Sequence, residues 1–389
     1  MKTLAMVNGN DFRTMVKAAL SVSVKKAAFS MCESILIKAC DNVLYICGNT
    51  LNQVYRGQCK CDCDGIFEVT INENTAKKIV NIKGNNITIT YDSDEDKKIK
   101  IADGKKTMEL ACFTPSDNDF NYDSYTCELE KDRSIVFTVD AEELLDGIKT
   151  VAPFRSFNEA KPVLQGFNFN GETGHLETID GYRAIRKSWK TLDKKSDYNF
   201  TVDEHLDNIG NIFNKNDRIA VSIDEKGKYT VFSKTDGNIS IEYGARNLEG
   251  TFHPIAKAIP TNFTTDITLV SGELLEVVKE YSGYTSAKNP APMIFAVHNG
   301  EFYTYMSESD TRVCDKVAAK INGNPDVFAG YKAKYLLDSF KVFDKKENIS
   351  IKYIGTLQPI LMTNGEYEVL NLPVRLKDDA RENFLNVVA

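Results

Sequence analysis

Three segments of the chain set acidic, apolar and basic positions in the same order. Residues 11–17 (DFRTMVK), 143–149 (ELLDGIK) and 273–279 (ELLEVVK) each open on a carboxylate, space their apolar residues for a helix and close on lysine. They recur about 130 residues apart, a fixed period that predicts three copies of one domain. A second helix is expected in each third, at 74–82, 204–213 and 331–340. Alternating runs between the helices predict antiparallel strands at 35–39, 43–47, 166–170, 175–179, 86–91, 229–232 and 349–353. Tight turns are expected at 41–42 and 171–174. The fold class is therefore α+β, with two helices per repeat lying on antiparallel sheets. Residues 115–133, rich in Asp, Asn and Ser, and residues 254–265 read as joints. They place domain boundaries at 1–128, 129–256 and 257–389, with an additional tail at 377–389.

Composition changes this picture little. The 389 residues are 42% hydrophobic and 26% charged, ordinary for a folded chain. No apolar run approaches the ~20 residues of a membrane span, and the N-terminus turns polar too early for a signal peptide. A cytoplasmic address without membrane association is expected. Nine scattered cysteines do not form a disulfide framework. Their one cluster, Cys59, Cys61 and Cys63, alternates as a strand with all three thiols on one face; a metal enzyme built on it is the weakest of three functional readings. The four histidines share no ligand spacing, and phosphate-loop, dinucleotide and nucleophile-elbow motifs are absent. The chain reads as non-catalytic, with no metal and no cofactor.

The net charge of −7 argues against a tight nucleic-acid binder, but says nothing about distribution. The outer faces of the expected helices gather cations: Arg13, Lys17, Lys25, Lys26, Lys77, Lys78, Lys83, Lys149, Arg155, Lys215, Lys279, Lys332, Lys334 and Lys341. Such a face serves solubility alone, or weak contact with a polyanion.

Three further segments carry a family resemblance. Residues 161–169 (KPVLQGFNF) followed by 176–185 (LETIDGYRAI), then 252–260 (FHPIAKAIP), then 370–376 (LNLPVRL), resemble the signatures of the bacterial sliding clamp, the beta subunit family of DNA polymerase III. With the repeat, the resemblance covers residues 1–376. It implies the DNA-clamp fold, with two chains head to tail in a ring around duplex DNA. The lysine-bearing helices would line its hole and hold phosphates without reading sequence. The family is a non-catalytic processivity factor for DNA replication. Its partners, the polymerase, clamp loader and repair proteins, bind through short linear motifs. Carried over, the motif pocket would be walled by Leu164, Ile179, Gly181, Tyr182, Arg183 and Ala184. His253, Lys257 and Ala258 would form one side, and Leu370, Leu372, Pro373 and Val374 the other. The homodimer joint would pair Met108 and Leu110 with Tyr284 and Thr285. Ile179 and Ala184 depart from the family's threonine and leucine, which alters the pocket's shape. The tail carries Phe384 and Leu385, an apolar pair suited to such a pocket, so self-occupation is one expectation and a short surface helix the other. The alternative function is a three-domain interaction scaffold that does not encircle DNA.

Overall fold

The computed structural model describes residues 2–23, 30–94, 97–118, 120–190, 197–236, 238–284, 290–308 and 311–388. Lys25, Lys26 and Thr285 lie outside the described residues. Contacts divide the chain into two compact units, one built mainly from 1–148 and 200–249, the other from 149–190 and 250–389.

The first unit holds two antiparallel sheets. One runs Asp62–Cys63, Lys2–Asn8, Asn86–Asp92, Lys98–Ala102, Thr107–Ala111; the other runs Arg133–Asp140, Arg218–Asp224, Tyr229–Asp236, Ile239–Arg246, Gln53–Lys60, Val43–Asn49, Ser34–Cys40, Phe67–Asn72. The helix Gly9–Val22 buries Phe12, Met15, Val16, Ala19 and Val22, a stripe at helical spacing. The Asn8 side chain caps its first turn by accepting from the amides of Asn10 and Asp11. Gly9 is required at its start, because a Cβ there would lie 2.1 Å from the Gly84 carbonyl oxygen.

The second unit repeats the plan. Its larger sheet includes, in order, Phe167–Asn170, His175–Ile179, Arg183–Ser188, Tyr367–Asn371, Ile360–Thr363, Asn348–Tyr353, Thr265–Val270 and Lys320–Gly323. Its smaller sheet runs Thr311–Val317, Glu301–Glu308, Met293–His298, Phe328–Tyr331. The helices Ser271–Tyr284 and Ala333–Phe340 bury Leu274, Leu275, Val278 and Leu336, Phe340.

In each unit one long sheet joins strands from two thirds of the sequence. Ile239–Arg246 pairs with Gln53–Lys60, and Tyr367–Asn371 pairs with Arg183–Ser188. Each junction carries a cross-strand ion pair at a register position: Arg56 opposite Glu242, with Nε 2.7 Å from Oε2, and Arg186 opposite Glu368 at 2.8 Å. The junctions are continuous sheet, not linkers.

The expected hairpin turn at 41–42 is present, with Asp41 and Asn42 both in the left-handed region at φ 52° and 60°. Several expectations need correction. Residues 204–213 form a 3₁₀ helix, Glu204–Asn211, because the buried Leu206, Ile209 and Ile212 repeat every three residues, the period of that helix. Residues 115–133 are not a loose joint. Tyr125 is fully buried with its hydroxyl 2.8 Å from Ser34 Oγ, and Tyr122 stands edge-on to Tyr45. Two aromatic anchors hold this segment where apolar periodicity is absent. The cysteine run is not one strand either. Cys59 is the penultimate residue of its strand in the eight-stranded sheet, whereas Cys63 pairs with Ala5 in the five-stranded one. Burial pushes the Cys59 and Cys61 thiols up to about 12.

The tail forms the helix Ala380–Val388. Phe384, 2% exposed, packs among Ile294, Ala296, Tyr305 and Phe328 on the small sheet, with Leu376, Ala380 and Val388 alongside. The expectation that the tail occupies the motif pocket is therefore overturned, since the pocket residues form a different cluster. Four aromatic rings around one phenylalanine hold it elsewhere.

Candidate partner groove and cationic helices

The second unit gathers most of the sequence-predicted pocket. Ile179, Ala184, Leu370 and Leu361 are successive cross-strand neighbours, forming an apolar row across four strands. Ala184, Leu361 and Leu370 are buried with Phe252 and Ile255, while Leu164, Ile179, Val163, Ile259 and Phe263 pack on them partly exposed. His253, Lys257 and Ala258 are exposed on and beside the short helix Ile255–Ala258. Leu372 is 43% exposed, and its amide donates to the Tyr182 carbonyl at 2.9 Å. Pro373 and Val374 are half-buried, and the Val374 amide donates to Gly330.

The turn at 180–182 presents Tyr182, 58% exposed. Gly181 takes φ +93°, where a side chain is strained. Asp180 Oδ1 accepts from the amides of Tyr182 and Arg183 at 2.8 and 2.9 Å. Arg183 is buried behind the turn instead of walling the pocket. Its guanidinium donates to Asp180 at 3.0 Å, Asp338 at 2.7 Å and the Pro153 carbonyl at 2.6 Å. It also lies over the rings of Phe154 and Tyr335. Three acceptors and two rings fix one rotamer of Arg183 directly behind Tyr182. Lys332, expected on a DNA-facing surface, sits 4.9 Å from the Tyr182 ring and 5.0 Å from Tyr335.

Beside the row on the same sheet face, Arg186 donates to Glu177 and Glu368, both at 2.8 Å, and Asn168 donates to Glu177 at 3.1 Å. Burial nonetheless raises the Glu177 carboxyl above its ordinary range, because desolvation outweighs these partners.

The predicted cations divide into three groups. Lys17, Lys78, Lys83, Lys149 and Lys334 are exposed and have no ion pair among the described residues. Lys77, Lys215, Lys279 and Lys341 lie beside Glu73, Glu142 and Asp146, Glu276, and Asp338 respectively. Two arginines do not sit on free outer faces. Arg155 is 8% exposed, donating to the carbonyls of Ala152 and Gln165 and lying over Phe167. Arg13 donates to the carbonyls of Ile82 and Gly84 at 3.1 and 2.8 Å. Carbonyls beyond helix and strand ends need donors, and guanidinium supplies them.

Sequence reasoning named Leu164, Ile179, Ala184 and Leu370 but not Leu361, Phe263, Val163 or Ile259 as wall. Phe252 and Ile255 lay inside a quoted motif without being assigned to the pocket. Of the joint residues, Met108 and Leu110 lie on the edge strand Thr107–Ala111, and Tyr284 ends its helix with its hydroxyl donating to Glu280.

No family model matches the chain. The chain is 23% identical over 300 residues to the beta sliding clamp of Streptococcus pneumoniae, covering 74% of this chain and 75% of that protein. Its fold matches the sliding clamp of Bacillus subtilis with a TM-score of 0.81 at 18% identity, over 97% of this chain and 100% of that one. The beta subunit of Streptococcus pyogenes gives 0.82 at 15% identity, over 96% and 100%. The Pseudomonas aeruginosa clamp, solved bound to griselimycin, gives 0.81 at 14% identity, over 97% and 100%. Repeat, motifs, sequence similarity and fold agree in likening the chain to the DNA polymerase III beta subunits, or sliding clamps, whose fold it shares.

Proposed function

We propose that the chain works as a non-catalytic sliding clamp, closing with a second copy around duplex DNA and tethering a polymerase and other motif-bearing partners. The observation that carries this reading is how successive repeats join. Twice within the chain, the last strand of one repeat pairs with the fourth strand of the repeat before it: Ile239–Arg246 with Gln53–Lys60, and Tyr367–Asn371 with Arg183–Ser188. The same rule leaves two sheet edges unmatched among the described residues, Thr107–Ala111 and Thr311–Val317. Each finds its mate on a partner copy, a head-to-tail contact that closes when two chains supply six repeats. On this reading the joint uses Met108 and Leu110 on one side and the strand Thr311–Val317 on the other, with Tyr284 nearby. The repeats run 1–128, 129–256 and 257–389.

Lys17, Lys78, Lys83, Lys149 and Lys334 supply the phosphate contacts. Weak, salt-sensitive attraction suffices where enclosure prevents escape. The row Ile179–Ala184–Leu370–Leu361, flanked by Leu164, Tyr182, His253, Lys257 and Leu372, seats the apolar residues of an extended partner peptide.

Light scattering tests the joint first. The expected mass is twice the 43.6 kDa chain, falling to that of one chain for Val313→Asp at the edge strand. A single-chain mass at every concentration refutes closure. A hydrophobic motif peptide should bind the wild type and fail on Leu372→Asp. Equal binding to both removes the groove.

A further inference from the structure

The tail helix does more than cover the small sheet of the second unit. Between them lies a cavity of about 410 Å³. Its apolar lining is Pro292, Ile294, Tyr305, Leu376 and Ala380. Its polar lining includes the cations Arg312, Arg375 and Lys377, facing the single carboxylate of Asp379. The three cations are exposed, and none has an ion pair among the described residues. The neighbouring Arg381, by contrast, is paired with Asp326. A second observation comes from below. Tyr305 is 1% exposed, and its hydroxyl is buried without a hydrogen-bond partner. A buried hydroxyl left unsatisfied costs free energy that a ligand atom recovers.

We propose that this cavity binds an organic anion, a flat apolar body carrying a carboxylate or phosphate, with Arg312, Arg375 and Lys377 around the charge and Tyr305 beneath it. The volume lies at the low end of the ~300–1,000 Å³ of small-molecule sites, matching a single ring with its charged group. Register supports the grouping. Ile294 pairs with Tyr305, and Ser307 pairs with Arg312, so these side chains alternate onto the face that Phe384 covers. Guanidinium groups match carboxylate and phosphate geometry, and the apolar floor rejects a bare hydrated ion. The site exists only where the tail is present, because Asp379, Ala380 and Asn383 form one wall. It lies within one unit and needs neither a partner copy nor DNA, so it stands apart from the clamp reading.

Calorimetric and ligand-observed NMR titration with phenyl phosphate tests it, with benzyl alcohol and inorganic phosphate as comparators. Phenyl phosphate should saturate one site per chain with a Kd on the order of 1 mM, as befits so small a ligand. Arg312→Ala with Arg375→Ala should weaken it about tenfold or more. Tyr305→Phe should weaken it about threefold while leaving thermal stability unchanged or higher, since the hydroxyl has no partner to lose. No saturation by about 10 mM, binding untouched by the double substitution, or equal binding of benzyl alcohol each overturns the site. A blocked Phe-Asp dipeptide distinguishes sources. Tighter binding than phenyl phosphate assigns the anion to a partner's acidic segment, and weaker binding assigns it to a free small molecule; both keep the anion site.

Discussion

Phe384→Ala is the sharpest test of how the tail is held. Phe384 is the only buried residue of its nine-residue helix, and its ring centroid lies 5.6 to 6.3 Å from those of His298, Tyr303, Tyr305 and Phe328. A helix this short is not stable alone in water, so its order comes from docking. Truncating a buried phenylalanine costs about 3 kcal/mol through lost transfer and the cavity left behind. The tail can undock without unfolding the sheet, so the loss should appear locally. Converted at 1.4 kcal/mol per decade, it raises the opening equilibrium of residues 380–388 more than about a hundredfold. Hydrogen exchange followed by mass spectrometry reads this directly. The tail amides should lose protection in Phe384→Ala, while those of Gly9–Val22 in the other unit keep theirs. Tail protection retained within about threefold of wild type would refute the single-anchor account. Arg381, paired with Asp326 and lying over Phe328, would then be the stronger hold.

Three further outcomes follow from named contacts. Arg183→Ala leaves Asp180 and Asp338 without their buried cation, so urea denaturation should register a loss of about 3 kcal/mol, and motif-peptide affinity should fall as Tyr182 loses its fixed pose. His205 is held protonated above its ordinary range, chiefly by its hydrogen bond to Asp203, against the opposing effect of burial. Its contribution is fully present below the unfolded value of ~6.5 and disappears as pH rises through the raised folded value. Partial exposure keeps it under about 1 kcal/mol. The unfolding midpoint should decline over that window, and His205→Gln should flatten the decline. Replacing Lys17, Lys149 and Lys334 by alanine should shallow the dependence of DNA affinity on salt by roughly 0.9 in log–log slope per lost phosphate contact. An unchanged slope would remove those lysines from the DNA surface.

The sequence carried local patterns well and long-range satisfaction poorly. The helices at 9–22, 141–151 and 271–284 were legible because their apolar residues repeat at the helical period. The turn at Asp41-Asn42 was legible because those residue types tolerate positive φ. Residues 115–133 were not, since Tyr122 and Tyr125 are isolated anchors whose partners, Arg56 and Ser34, are distant in sequence. Ile179, Ala184 and Leu370 came from motif resemblance, while Leu361 sits in a strand with no motif and joins them only through sheet register. Arg155 and Arg13 look like surface cations in sequence. Only the fold brings unsatisfied carbonyls within their reach.

The ion pairs Arg56–Glu242 and Arg186–Glu368 run in one direction: arginine from the earlier repeat, glutamate from the later. Polarity of that kind acts as an address. A repeat that tried to join a copy of itself back to front would set arginine against arginine in a half-buried sheet, at a cost well above that of an exposed pair. Exchanging the two charges at one junction keeps its own pairing while making it foreign to every unaltered strand.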